Sequence, residues 1–371
     1  MKERIIGIDL ARVFSIFGMM VVNYHFAFGA FHGNEFLMEF ANFFNGRASA
    51  TFVILAGVSL ILFSKSIRET TYSEEIFREK KLVIFKRGFI LFIIGSLDLV
   101  LWPADILRSY GIFFMVASLF LRKSRGFYLL SSIASILIFT ILYLLFNFRK
   151  DWNQSNFQYN ELWTVYGFLK SLFFNGWNPI LPWIGLFFYG MFLGVYLFEE
   201  KKDSKKIFYL SLFGFIILFI VSQFESVLSI IHPVVFSDKK VLDSIFTLNQ
   251  LPPLPLYYLL SICFANLIII LFLRIADYFK NTKLVSFLSK VSTYSHTIYL
   301  SHIYLGILIF NIMNNAWTEE EFYKVWGQES IEFILIFSII SFLLHTIFAN
   351  IHSKYFKLGP MEYLVKKFSE K

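Results

Sequence analysis

Long apolar stretches alternate with short polar ones along almost the whole chain. Each apolar stretch has roughly the 17 to 25 residues that a helix needs to cross a ~30 Å hydrocarbon core. The pattern therefore predicts an all-α fold class, a polytopic membrane helix bundle of about ten transmembrane helices in a single domain, 1–371. The predicted spans are residues 5–28, 43–63, 84–101, 105–121, 127–147, 180–198, 207–228, 254–273, 291–313 and 331–351.

The composition and the placement of charge agree with this class. Hydrophobic residues make up 57% of the chain and charged residues 16%, which is beyond the range of an ordinary soluble domain. The net charge of +8 could indicate a nucleic-acid partner, but most of the 34 lysines and arginines lie on one side of the predicted membrane. This asymmetry is the positive-inside pattern, so it predicts cytoplasmic termini and no nucleic-acid partner. The basic segments are the loops at 64–87, 122–126, 199–206 and 274–290 and the tail from 352.

The longer loops fall on the outer side in this topology. An apolar stretch at 165–174 is predicted to form a short amphipathic helix at the membrane surface. The aromatic residues in these loops suit either an interfacial belt or the faces of sugars. The outer loops are residues 29–42, 148–179, 229–253 and 314–330.

The first span carries polar residues where apolar ones would cost less. At ~100° per residue, Asp9, Arg12 and Asn23 share one stripe of the helix. Polar side chains at membrane depth are functional candidates, because they are costly unless they are paired or line a cavity. For Asp9 and Arg12, an ion pair between residues i and i+3 is the structural alternative. His25 lies about 160° from Arg12 and faces elsewhere while the helix stays regular.

Several short motifs in the chain resemble the heparan-alpha-glucosaminide N-acetyltransferase family. Asp9-x-x-Arg12 followed by a run that ends in Asn23 is similar to the first transmembrane helix of that family. Two later segments are similar to the related YeiB family, residues 105–111 and 359–363. The other segments that carry the resemblance to the acetyltransferases are residues 45–47, 52–57 and 178–185.

The resemblance implies a membrane acyltransferase that uses acetyl-CoA or another acyl-CoA as co-substrate and needs no metal. The acceptor would be a glycan or another extracytoplasmic envelope group. The family places a catalytic histidine in the loop after the first helix, so His32 is the expected general base, with Asn23 as the polarising amide. His25 is the alternative base if the helix kinks after Asn23.

Four residues are candidates for holding the coenzyme or another anion. Asp9 and Arg12 would organise the inner half of a path for the donor. Arg47 and Arg108 lie near the outer ends of their predicted spans, where they could form salt bridges or an anion-binding rim.

A second polar stripe lies on the ninth predicted span. Ser295, Tyr299 and His302 fall within about 60° of one another at helical spacing. A histidine that faced lipid would be costly, so this stripe is expected to face the bundle interior. Hydrogen bonds between helices and a catalytic role for His302 both remain open.

Two other classes of function compete with the enzyme. Intramembrane charges also occur in transporters, although no inverted repeat is visible here. A non-catalytic envelope assembly protein of the same fold is the third hypothesis. In each case the expected location is the bacterial inner membrane, with the lipid bilayer as a partner and a homodimer as a possible assembly.

Overall fold

The computed structural model describes residues 4–68, 73–153, 158–224 and 246–370. In these ranges the regular elements are helices, besides an isolated antiparallel bridge between Trp152 and Tyr159. The predicted all-α class is confirmed for the described residues. The helices are α1 (Ile6–Phe28), α2 (Glu35–Phe44), α3 (Arg47–Arg68), α4 (Glu74–Asp98), α5 (Leu107–Leu119), α6 (Arg125–Leu145), α7 (Val165–Lys170), α8 (Ile180–Gly194), α9 (Ser204–Ser222), α10 (Pro255–Phe279), α11 (Lys283–Thr293), α12 (Ser295–Asn314), α13 (Glu319–Val325), α14 (Ile331–His352) and α15 (Pro360–Ser369).

Eight helical stretches in the described ranges are long and apolar enough to cross a membrane. The remaining two predicted spans correspond to α4 and α5. Clustered charges occupy the first half of α4, and α5 has 13 residues, about 20 Å of helix. A membrane helix bundle is therefore supported, whereas the count of ten and the orientation of the termini stay predictions. The eight stretches are α1, Glu35–Arg68, α6, Ile180–Glu199, α9, α10, α12 and α14.

Several boundaries differ from the sequence prediction. The predicted loop at 29–42 contains most of α2, whose first turn is capped by the Asn34 side chain accepting from the Leu37 N–H. The predicted span 291–313 is interrupted at Tyr294, which separates α11 from α12. The predicted end of the span 207–228 and most of the loop 229–253 lie outside the described residues.

A short helix lies where one was predicted at 165–174, and its place at the membrane surface as an amphipathic helix stays a prediction. Helix α7 begins at Val165, and a π-helical turn, Ser171–Asn175, continues it. The side chains of Val165 and Tyr166 are exposed, while Gly167 and Leu172 are buried, so the segment has one apolar face turned outward. Such a helix suits the membrane surface.

One compact unit of the chain comprises Met1–Phe52 and Ile268–Leu364. Helix α1 lies at its centre and packs against α2, α11, α12 and α14. Small residues allow these close approaches: a Cβ on Gly7 would overlap the backbone of Leu273, and one on Gly306 would overlap the ring of Tyr24.

The other unit comprises Val53–Leu267 and Val365–Lys371. Its most extensive helix contacts join α4 to α5 and α6 to α8. A Cβ on Gly95 would overlap the backbone of Arg108, so α4 and α5 approach each other almost backbone to backbone. The expectation of a single domain stays a prediction.

Candidate active site

The charged residues at the N-terminal end of α1 contact one another and two serines of α11, Ser289 and Ser292. Asp9 accepts hydrogen bonds from the Ser292 hydroxyl at 2.6 Å and from the Arg4 guanidinium. Arg12 donates to the Ser292 oxygen at 2.6 Å and lies 3.8 Å from the Asp9 carboxylate. Arg4 also donates to the Ser289 carbonyl at 2.8 Å. One carboxylate thus lies between two guanidiniums, so the three side chains together carry a net positive charge.

The amide of Asn23 contacts a histidine from a distant part of the chain. Asn23 Nδ2 lies 3.1 Å from His302 Nε2, and His302 Nδ1 lies 3.0 Å from the Ile298 carbonyl oxygen. A carbonyl oxygen can only accept, so Nδ1 carries the ring proton and Nε2 holds a lone pair. The Asn23 N–H donates to that lone pair. His302 is 1% exposed, so the neutral ring is enclosed and has a fixed orientation.

Tyr24 holds α1 and α12 together beside this pair. Its hydroxyl donates to the His302 carbonyl at 2.9 Å and lies 2.8 Å from the Ser341 hydroxyl on α14. The ring fits against α12 because Gly306 has no side chain there. The register of Asn23 and His302 is therefore set by the neighbouring residue on α1.

A second buried histidine lies on α14. His345 Nδ1 is 2.8 Å from the Ser341 carbonyl, and its Nε2 is 3.0 Å from the Ser301 hydroxyl. By the same reasoning Nδ1 donates and Nε2 accepts, which joins α14 to α12. Sequence reasoning gave His345 no role.

The polar stripe of the ninth predicted span is buried in this unit. Ser295 and Tyr299 are 7% and 4% exposed, and the Tyr299 ring lies edge-on to His302 with centroids 5.7 Å apart. The expectation that the stripe faces the interior is confirmed. Its histidine joins α12 to α1 through the Asn23 amide, and a catalytic role for His302 stays a prediction.

The other two candidate histidines lie elsewhere. Helix α1 stays helical through Phe28 and ends at Gly29, where φ is 68°, so it has no kink after Asn23. His25 is 5% exposed, its ring packs 5.4 Å from that of Phe31, and its Nε2 has no hydrogen-bond partner among the described residues. His32 is exposed, and its carbonyl accepts from the Ile331 N–H at 3.0 Å.

The two outer arginines contact aromatic rings. Arg47, in the first unit, donates to the Phe43 carbonyl at 2.9 Å and lies 5.7 Å from the centre of that ring. Arg108, in the second unit, is 3% exposed, donates to the Ser171 hydroxyl at 3.2 Å and lies 5.1 Å from the centre of the Phe168 ring. Neither is joined to the Asn23 and His302 pair by these contacts.

Comparison with protein families decides what kind of protein carries this arrangement. The model of the heparan-alpha-glucosaminide N-acetyltransferase catalytic family matches residues 4–232, more than half of the chain. The chain belongs to the heparan-alpha-glucosaminide N-acetyltransferase family. A second family model, for proteins of unknown function (DUF418), matches residues 194–371, which include the YeiB-like segment near the C-terminus. No curated protein matches the chain significantly.

In this member of the N-acetyltransferase family, sequence reasoning located one half of the site. Helical spacing placed Asp9, Arg12 and Asn23 on one stripe, and the structure gives each of them a partner on that side of α1. The partners, Ser292 and His302, were not assigned to it. The sequence does place a histidine and an amide within two different predicted spans, and this could have suggested that Asn23 and His302 meet. No feature of the sequence indicates that Ser292 binds Asp9 and Arg12.

Proposed function

We propose that this protein is a membrane acyltransferase that moves an acetyl or similar acyl group from cytosolic acyl-CoA to an extracytoplasmic glycan or other envelope acceptor. Membership of the N-acetyltransferase family and the apolar helices support this proposal. The observation that carries it is the contact between Asn23 and His302. It offers a general base and an amide donor at one point inside the helix bundle.

Acyl transfer from a thioester needs both of these groups. In the resting protein the Asn23 amide and the His302 lone pair satisfy each other. When substrates enter, the amide would donate to the thioester oxygen, where negative charge develops, and His302 Nε2 would take the proton of the acceptor hydroxyl or amine. A bond forms from the acceptor to the acyl carbon, the C–S bond breaks, and the proton passes from His302 to the coenzyme sulfur.

The charged cluster at the other end of α1 suits the donor. Its net positive charge would attract the anionic phosphates of the coenzyme, and the Arg4 side chain is 43% exposed and accessible to them. Asp9 and Asn23 lie about 21 Å apart along the helix axis, at ~1.5 Å per residue. The phosphates would therefore remain near one end of α1 while the thioester reaches the other.

Two histidines compete for the role of base. Geometry favours His302, because its tautomer is fixed and its Nε2 already faces the Asn23 amide. The resemblance favours His32, whose exposed loop would have to fold back over the end of α1. His32 as the base stays a prediction, and His25, which faces away from Asn23, is the third candidate.

Release of free thiol from acyl-CoA by the purified protein in liposomes tests the proposal. We expect release that depends on an added amino sugar or oligosaccharide acceptor and that carries the label of the acyl group into the acceptor. Liposomes without the protein, prepared in parallel, measure the background. Absence of acceptor-dependent release above that background, together with solute counterflow in the same liposomes, would instead identify a transporter.

A further inference from the structure

Helix α12, which carries His302, has no cap of its own. It begins directly after Tyr294, whose side chain makes no capping hydrogen bond. The first N–H groups of a helix need acceptors, because they have no carbonyl partner within the helix. In this helix the acceptor comes from the far end of the chain.

The C-terminal segment supplies the missing acceptor. One Glu362 oxygen accepts the N–H of His296 at 2.7 Å and that of Thr297 at 3.2 Å, and its other oxygen accepts the Thr297 hydroxyl at 2.6 Å. The Met361 N–H donates back to the Thr297 hydroxyl oxygen at 3.1 Å. These are the second and third residues of α12, the positions that an N-cap normally serves.

Two further contacts fix this segment. A Cβ on Gly359 would lie 2.6 Å from the Thr297 hydroxyl oxygen and would overlap the end of the Glu362 side chain, so a larger residue there would displace the carboxylate. Tyr294 donates from its hydroxyl to the Phe356 carbonyl at 2.9 Å.

Burial acts to raise the pKa of the Glu362 carboxyl, but hydrogen bonds from His296 and Thr297 outweigh it and hold that pKa below its usual value.

The capped turn contains the group that fixes the tautomer of His302. The Ile298 N–H bonds to the Tyr294 carbonyl at 2.8 Å, and the Ile298 carbonyl accepts the His302 Nδ1–H. Fraying of this turn would displace the Ile298 carbonyl and release the ring to its other tautomer, in which Nε2 carries the proton and has no lone pair. We infer that Glu362 is a positioning residue: by capping α12 it keeps the lone pair of His302 directed at Asn23. The catalytic part of this inference rests on the proposed function.

The histidine tautomer can be measured directly by ¹⁵N NMR of the protein in nanodiscs, with the His302 signal assigned from its loss in His302→Gln. We expect a single Nδ1–H tautomer in the unmodified protein and a mixture in Glu362→Ala. Gly359→Ala keeps the carboxylate but displaces it, so it should give the same mixture with a smaller disturbance of folding. The matched control is Glu321→Ala, which removes the carboxylate that caps α13 and should leave His302 unchanged.

The turnover number kcat is measured for the same variants. We expect kcat for thiol release to fall about tenfold in Glu362→Ala, because a displaced base slows proton transfer, with an unchanged KM for the donor. A single Nδ1–H tautomer in both Glu362→Ala and Gly359→Ala would overturn the inference. A mixture of tautomers in a protein whose unmodified form transfers no acyl group would sustain the positioning role and refute the proposed function.

Discussion

The polar side chains at the two ends of α1 are compensated in different ways, by ion pairs at one end and by a neutral hydrogen bond toward the other. At the N-terminal end, the Asp9 carboxylate pairs with the guanidiniums of Arg4 and Arg12 and accepts from the Ser292 hydroxyl. Toward the other end, Asn23 and His302 are both neutral and satisfy each other with one hydrogen bond. Under the proposed function, this difference would separate two tasks, attraction of an anionic donor at one end and proton transfer at the other.

The neutral end is also the one that can open at small cost. Breaking a single neutral hydrogen bond costs about 1 kcal/mol when the groups find new partners, whereas removing one member of a buried ion pair costs about 3–5 kcal/mol. Under the proposed function, substrates would therefore displace Asn23 from His302 while the helix bundle stays folded. We expect the ion pairs of Asp9 with Arg4 and Arg12 to persist throughout a reaction cycle.

Replacement of His302 tests the neutral end most severely. We expect His302→Ala to lower kcat for acyl transfer by about 10²–10⁴, the usual contribution of a general base. His25→Ala should retain most of the activity, because His25 faces away from Asn23. Thiol release from acyl-CoA is the measurement. An active His302→Ala protein alongside an inactive His32→Ala protein would move the base to the loop and break the comparison.

Replacement of Asn23 should have the next largest effect. Asn23→Ala removes the donor to the developing oxyanion, and loss of one such donor costs about 10²–10³ in kcat. Asn314→Ala is the matched control, since the Asn314 amide donates to the Phe310 carbonyl of its own helix. Equal kcat values for the two variants would show that the Asn23 amide only fills space beside His302.

At the charged end the expected change is in donor binding. Arg12→Ala leaves Asp9 paired with Arg4 but lowers the net positive charge, so we expect the KM for acyl-CoA to rise about tenfold, which corresponds to ~1.4 kcal/mol, with little change in kcat. Arg122→Ala is the control, because the Arg122 guanidinium pairs with Glu74 in the second unit. If kcat falls while KM stays constant, the cluster serves the chemical step and the separation of tasks is wrong.

The membrane topology can be measured without a change in activity, and it shows on which side of the membrane each end of α1 lies. Reporter fusions after Lys206 and after Lys371 should report cytoplasm, and a fusion after Trp177 should report the outside. This result would put the charged end of α1 on the side where acyl-CoA is made. A cytoplasmic signal at Trp177 would refute the ten-span topology.

Helical periodicity was sufficient to predict the polar stripe of α1. The positions of Asp9, Arg12 and Asn23 follow from 3.6 residues per turn, and the apolar runs predicted the helical class. The resemblance to the family rests on short motifs scattered over nearly the whole chain. These features are local, so each could be read from a few consecutive residues.

Features that depend on packing between distant segments could not be read in this way. Asn23 and His302 are 279 residues apart, and no pattern in either segment specifies which helices become neighbours. The break at Tyr294 has no proline or glycine to mark it, and the capping residue Glu362 comes from another helix. The apolar pattern does not predict helix α2, because its ten residues are too few to span a membrane.

The long separation between Asn23 and His302 also means that the ribosome makes them at different times. At about 5–20 residues per second, a ribosome needs roughly a quarter of a minute to a minute to add the 279 residues between them. Throughout that interval α1 exists without His302, which accepts from the Asn23 amide. Asp9 keeps Arg4 and Arg12 from its own segment, whereas Asn23 would face hydrocarbon if α1 entered lipid before α12 arrived. We therefore expect the insertion machinery or water to shelter the nascent first helix until the last third of the chain has been made.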